Sequence, residues 1–242
     1  MKSVGTWMST RNLSFVEIAV ITGYEWVVID LEHSSLDVDF CAQACMVAAG
    51  RIEIYARIDE HNPALIKKLL DVGIDGIVAP MVETKESVVS LYNAMHYPPV
   101  GSRGVGLNRA QHYGLDFEGY LKKSKDLKLV IQIESANAIQ NLDKLLDNSY
   151  VYAAIIGPYD LSSSFNKPGV FDCLEMKQAT AKFLSSCQSK EVIPGFHVVS
   201  SNSRKAIEKL EEGYKFLALG VDFIFLQEAM KELLNDLRKI DE

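Results

Sequence analysis

The sequence predicts a single (β/α)8 barrel, and three observations carry that expectation. Eight short β-rich runs alternate with longer stretches of helical period, the pattern of a parallel sheet covered by helices. Glycines stand where four of the helical stretches end. The length, 242 residues, is that of one barrel, so 1–242 reads as one domain.

The strand runs are 4–8, 26–32, 52–59, 76–82, 129–134, 152–158, 192–199 and 216–222. Helical stretches fall at 14–22, 38–49, 63–71, 85–96, 136–146, 174–189, 203–212 and 224–237. Gly23, Gly50, Gly73 and Gly213 are placed to act as left-handed C-caps. Eight such units favour a closed barrel over an open doubly wound sheet.

One connection breaks the rhythm: residues 97–128, with Pro98, Pro99, Gly101, Gly104 and Gly106. It follows a helix and precedes a strand, so it leaves from the face opposite the usual catalytic end. Two readings stand: a surface excursion or flap, and an arm reaching a neighbouring subunit. Its glycine run is not a dinucleotide fingerprint, because it does not lie between a strand and the helix that strand feeds.

Composition removes several function classes. Net charge is -7, with no run of Lys or Arg able to track phosphates, so nucleic acid is not an expected partner. No apolar stretch reaches the roughly 18 residues of a membrane span, and the start lacks a signal-peptide core. A cytoplasmic protein is expected. The four cysteines form no CxxC pattern and read as thiols of a reducing compartment.

A barrel reacts at the C-terminal ends of its strands, and here those ends are polar and acidic. Strand two closes on Asp30, Leu31, Glu32 and His33, strand three on Arg57 to Asp59, strand five on Gln132 to Glu134, and strand six on Gly157 to Asp160. Strand seven offers His197 and strand eight Asp222. Adjacent strands lie about 4.8 Å apart, so Glu134 and Asp160 can share one ion. Two carboxylates with open positions suit Mg²⁺ or Mn²⁺. The competing reading makes one of them a helix N-cap and the other a solvated strand end.

Gln132 and Glu134, two apart on one strand, point to one face. Arg57 offers a planar fork suited to a 2-oxo acid carboxylate or an enolate oxygen, against the plainer reading of an ion pair with Asp59 or Glu32. His33 is the natural proton carrier, with Asp30 or Asp71 to orient it. His61, His96 and His112 read as structural, and His197 as a weaker candidate behind the site. No lysine ends a strand at the catalytic face. Schiff-base chemistry is thereby removed, and carbon–carbon chemistry would have to run through a metal-bound enolate. No G-x-S-x-G elbow or Walker loop is present, and no organic cofactor is expected.

Seven segments carry a resemblance along nearly the whole chain: GTWM, VVIDLEH, ARID, KKLLDVGIDGIVAPMV, YPPVGSRGVG, VIQIES and IIGPYDLS. In that order and spacing they resemble the HpcH/HpaI family of metal-dependent pyruvate aldolases. The resemblance implies a (β/α)8 barrel, usually in a hexamer, a trimer of dimers whose last helix packs on a partner barrel. It implies reversible cleavage of 4-hydroxy-2-oxo acids to pyruvate and an aldehyde with Mg²⁺, Mn²⁺ or Co²⁺. Glu134 and Asp160 match the metal ligands, Arg57 the arginine that stabilises the enolate, His33 the general base and Asp71 its acidic partner. Gln132, Gly157, Pro158 and Tyr159 match groups around the pyruvate carboxylate, and Trp7 of GTWM belongs to the same substrate-facing set. The segment from Val105 to Arg109 matches one used at a neighbouring subunit's site. Asp30 and Leu31 flank the base.

Three departures bear on the aldehyde half. Leu31 stands where family members commonly have Gly, the helix that plugs the barrel floor before the first strand is missing, and LNRAQHYG after Gly106 differs. A 2-keto-3-deoxy sugar acid is the expected substrate class. The alternatives are a citrate-lyase-type enzyme acting on a CoA thioester and a non-catalytic barrel used for binding.

Overall fold

The computed structural model describes residues 2–238; residue 1 and residues 239–242 of the expected 1–242 domain lie outside the described residues. Eight parallel strands close in sequence order: β1 (Ser3–Met8), β2 (Trp26–Asp30), β3 (Glu53–Arg57), β4 (Gly76–Ala79), β5 (Lys128–Ile133), β6 (Ala153–Ile156), β7 (Ile193–Val198) and β8 (Phe216–Val221), with β8 pairing back to β1. The expected barrel is the fold observed.

Helices α1 (Leu13–Thr22), α2 (Val38–Ala48), α3 (Pro63–Val72) and α4 (Lys85–Met95) follow the first four strands. Their N-caps are Asn12, Asp37, Asn62 and Thr84, each accepting a backbone N–H from the first turn. Gly23, Gly73 and Gly213 are left-handed caps as expected. After α2 the left-handed cap is Ala49, and Gly50 continues the positive-φ turn.

The 97–128 connection is built, not bare. It carries α5 (Phe117–Lys123) and short 3-10 turns, and Asn108 and Asp116 cap their starts. The 136–146 stretch breaks at Asn141 into α6 (Ala136–Gln140) and α7 (Leu142–Leu145). A further helix, α8 (Pro158–Ser164), begins where β6 ends, and α9 (Leu174–Ser189) follows it. The sequence points to α8 only as a start beside Asp160, not as a helical stretch; its seven residues hold three serines and no side-chain cap. Finally α10 (Ser203–Glu212) leads to β8, which passes directly into α11 (Asp222–Arg238).

Two apolar layers result. Between strands and helices lies the larger core; inside the barrel, Trp26, Tyr55 and Phe216 pack together, with Trp26 and Phe216 stacked at 4.1 Å. Those rings fill the barrel interior toward the strand starts. The strand ends are left for polar groups.

Candidate active site

A cavity of about 110 Å³ opens at the C-terminal strand ends, lined by Trp7, Arg57, Gln132, Glu134, Gly157 to Asp160, His197 and the three aliphatic residues Ile155, Ile156 and Val199. Larger cavities lie elsewhere on the surface, but this one holds the convergent polar groups.

Glu134, one residue past β5, is buried and held from two sides. The Met81 N–H donates to Oε1 at 2.6 Å, and the Gln132 amide donates to Oε2 at 2.8 Å. Met81 takes φ +51° to aim that N–H, a left-handed conformation unusual for a long side chain, and His61 steadies the turn through the Pro80 carbonyl at 2.7 Å. Burial pushes the Glu134 carboxyl above its ordinary range; the Met81 N–H opposes this, and the Asp160 charge adds to it. Gly157 supplies the room: a Cβ there would stand 2.8 Å from Glu134 Oε2.

Asp160 lies in the first turn of α8 and has no hydrogen-bond partner among the described residues. It is therefore not an N-cap, and its carboxylate is available to the cavity. Gln132 Oε1 is buried with no donor facing it. Two carboxylates and an orphaned amide oxygen form an all-oxygen donor set suited to a hard divalent cation. No cluster of three acidic, histidine or cysteine ligands exists among the described residues, so such an ion would keep positions for substrate and water.

Arg57 ends β3 and is fixed by Asp30, through Nε to Oδ1 at 2.9 Å and Nη2 to Oδ2 at 2.6 Å, and by Glu32 at 3.1 Å. The guanidinium lies 5.1 Å from the Trp7 ring. Three of its five N–H donors are engaged, which leaves two. Its partners are thus Asp30 and Glu32, and the ion pair with Asp59 is not formed. Burial pushes Asp30 up, but the Arg57 hydrogen bond and charge, with the His33 and Glu32 N–H groups, outweigh it and hold the carboxyl low. Glu32 is raised, chiefly by burial, against the pull of Arg57.

His33 stands at the rim, its side chain 69% exposed and Nε2 3.9 Å from Glu32 Oε2. Asp30 orients it through the backbone, by accepting its N–H at 3.2 Å. Leu31 is half-buried beside it, packed against the outer core. Asp71 is not brought to His33 within one chain. It ends α3 at the opposite face of the barrel, paired with the buried Arg103 at 2.7 Å. Arg109 sits at that face too and donates to the Val72 and Cys45 carbonyls, while Val105 is exposed. Tyr159 is exposed at the mouth, edge-on to Phe171. Asp222 is a clip, not a cavity residue: it accepts the Ser9 and Thr10 N–H groups and closes the β1–α1 loop.

Three participants were underrated or missed by sequence reasoning. Glu32 was visible as a neighbour of His33. The Met81 N–H left no signal, since no propensity places Met at positive φ. His197 was visible only as a strand-end histidine; it is stacked on Trp7 at 4.7 Å.

The family model HpcH/HpaI aldolase/citrate lyase matches residues 3–229. A "2-keto-3-deoxy-L-rhamnonate aldolase" of Shigella dysenteriae serotype 1 (strain Sd197) is 34% identical over 235 residues, covering 96% of this chain and 87% of that one. The crystal structure of an HpcH/HpaI aldolase from Desulfitobacterium hafniense DCB-2 superposes with a TM-score of 0.91 at 24% identity, covering 98% of this chain and 93% of that chain. The structure of the citrate synthase SbnG does so with 0.85 at 20% identity, covering 100% and 95%. These two likenesses speak for the fold alone. With a family model spanning nearly all of it, the chain belongs to the HpcH/HpaI aldolase/citrate lyase family.

Proposed function

We propose that this chain is a divalent-metal-dependent aldolase that reversibly cleaves a 4-hydroxy-2-oxo acid, of the 2-keto-3-deoxy sugar acid class, to pyruvate and an aldehyde. The observation that carries the reading is the Glu134–Asp160 pair, with the orphaned Gln132 oxygen beside it and the two unengaged Arg57 donors in the same cavity. The substrate class is taken from the named relative.

Glu134, Asp160 and the Gln132 oxygen are the groups that would hold Mg²⁺, Mn²⁺ or Co²⁺. When bound, the cation supplies Lewis-acid polarisation of the 2-oxo group. The chain's own groups do the rest. The backbone N–H groups of Tyr159 and Asp160, in the first turn of α8, are the donors left for the substrate carboxylate, since Pro158 has none and Gly157 donates to Ile133. Arg57, pinned by two carboxylates, keeps its remaining donors for the oxygen on which negative charge develops. His33 takes the proton of the 4-hydroxyl, the C3–C4 bond breaks, and protonation at C3 gives pyruvate. Arg57 is the one arginine or lysine lining the cavity, so a CoA diphosphate finds little to bind there.

A homo-oligomer fits the same reading. Helix α11 exposes Phe223, Leu226, Met230, Leu233, Leu234 and Leu237, a face that a second copy would cover, with a hexamer as the family arrangement. Asp71 and the Val105–Arg109 segment would then serve the site of another copy. No described helix is long and apolar enough to cross a membrane.

The deciding experiment is proton NMR of pyruvate in deuterated buffer with the protein. Methyl exchange is expected with Mg²⁺ or Mn²⁺ and is lost on chelation. Absence of exchange with every divalent ion would overturn the proposal.

A further inference from the structure

His197 is not used by the chemistry above, yet its ring is one wall of the cavity. Its placement is over-determined. It lies face to face with Trp7, at 4.7 Å and 17° between planes, and the strand between them, β8, puts only Ala218 opposite His197. Its Nε2 is 3.0 Å from the Gly220 carbonyl oxygen. A carbonyl only accepts, so Nε2 carries the proton and Nδ1 bears a lone pair.

The backbone is bent to make that bond. The β1–β8 register slips between Gly5 and Trp7, pairing Gly5 with Ala218 and Trp7 with Val221, so β8 bulges around Gly220. Gly220 sits at φ +67°, and a Cβ there would lie 2.1 Å from the Phe225 ring. Both facts demand glycine, and the result is a carbonyl turned to the imidazole. Nδ1 has no partner among the described residues, and it is not sealed away as a buried orphan. It faces space that a ligand can reach.

We propose that His197 is a specificity-determining residue, whose fixed Nδ1 accepts a hydrogen bond from a hydroxyl on the carbon next to the aldehyde carbonyl. The ligand class is therefore a short 2-hydroxyaldehyde, in preference to the corresponding alkyl aldehyde. Of the neighbours on this wall Ile155, Ile156 and Val199 are aliphatic, while the Tyr159 hydroxyl, and Ser200 and Lys205 in the adjoining cavity that His197 also lines, are polar. Trp7 touches both polar groups, stacking on His197 and lying 5.1 Å from the Arg57 guanidinium. Burial pushes the imidazole down to about 4, so the ring is neutral near pH 7 and its lone pair is available.

This assignment rests on the aldolase reading, and its test keeps the two apart. Pyruvate is coupled with glycolaldehyde or with propanal, which differ only by hydroxyl against methyl. Wild type is expected to favour glycolaldehyde in kcat/KM by about 10-fold or more, the effect of one well-placed hydrogen bond and of the polar group left unpaired without it. His197→Leu should lower that ratio by about 10-fold, and His197→Asn, which restores an acceptor near Nδ1, should recover part of it. Each rate is normalised to the pyruvate methyl exchange of the same variant, which a general folding defect lowers along with the coupling. A wild type indifferent to the hydroxyl, or a His197→Leu ratio equal to wild type, overturns the assignment while exchange still upholds the aldolase. Absent exchange in wild type overturns both.

Discussion

Two arginines at opposite ends of the barrel show how the same side chain serves chemistry or architecture. At the mouth, Arg57 is held by Asp30 and Glu32, lies against Trp7, and keeps donors on a cavity. At the other face, Arg103 is fully buried, bonds Asp71 and the Tyr120 hydroxyl, and lies between the rings of Tyr97 and Tyr120 at 4.6 and 5.4 Å. Both are paired and both touch aromatics. The difference is whether a donor is left facing space that a ligand can enter. Carboxylates divide the same way: Asp71 is consumed by its partner, whereas Asp160 has none.

The sharpest way to break this comparison is at the mouth. Glu134→Gln and Asp160→Asn are expected to reduce pyruvate exchange to the level seen with chelator while leaving the fold intact. Gly157→Ala should approach the same result, because its methyl would press on Glu134 Oε2. Retained exchange in either carboxylate variant would move the ion elsewhere.

His33→Ala should lower aldol turnover by about 10² to 10⁴, the usual contribution of general acid–base help. It also tests whether the two faces are as separate in the assembly as they are in one chain. If Asp71 of one copy serves His33 of another, co-expressed His33→Ala and Asp71→Asn chains should regain activity at about a quarter of the sites in a random mixture. Asn keeps an acceptor for Arg103, so folding is spared. No regain would confine Asp71 to its structural pairing.

The sequence carried the barrel and most of the mouth because both are written in local patterns. Strand alternation gave eight strands, and Gln132, Glu134, Arg57 and His33 are strand-end residues whose faces follow from a period of two. What stayed hidden depends on distant backbone. The Met81 N–H reaches Glu134 from 53 residues away in a conformation that Met does not favour. The bulge at Gly220, which sets the His197 tautomer, is a register slip between the first and last strands. Asp71 read as a neighbour of His33 because motif matching has no sense of which end of a helix a residue occupies.

At the opposite face the expected effect is on stability. Arg103→Met should cost about 3 to 5 kcal/mol in urea unfolding, since it strands a buried carboxylate. Asp71→Leu combined with Arg103→Met should recover most of that, because an apolar pair replaces an ionic one of similar volume. A single-variant cost near zero would mean that the face is solvated after all.

The smallest effect tests how His197 is held at the mouth. His197 has a folded-state value of about 4, against roughly 6.5 unfolded. Between those values the unfolded chain binds a proton that the folded chain refuses. Stability from this group is therefore complete above about pH 6.5 and is lost as pH falls toward 4. Because one side of the ring borders the cavity, about 1 to 2 kcal/mol by pH 5 is a fair expectation. Glu134 and Glu32 work in the opposite direction: their raised values favour the folded state as acid is added. Wild type alone would thus show a blend. The difference between wild type and His197→Leu in metal-free urea unfolding removes the carboxylates common to both. That difference should shift steadily against wild type from pH 7 to pH 5. A difference that stays flat would mean that the imidazole protonates freely, and the ring would then be open to solvent instead of locked between Trp7 and Gly220.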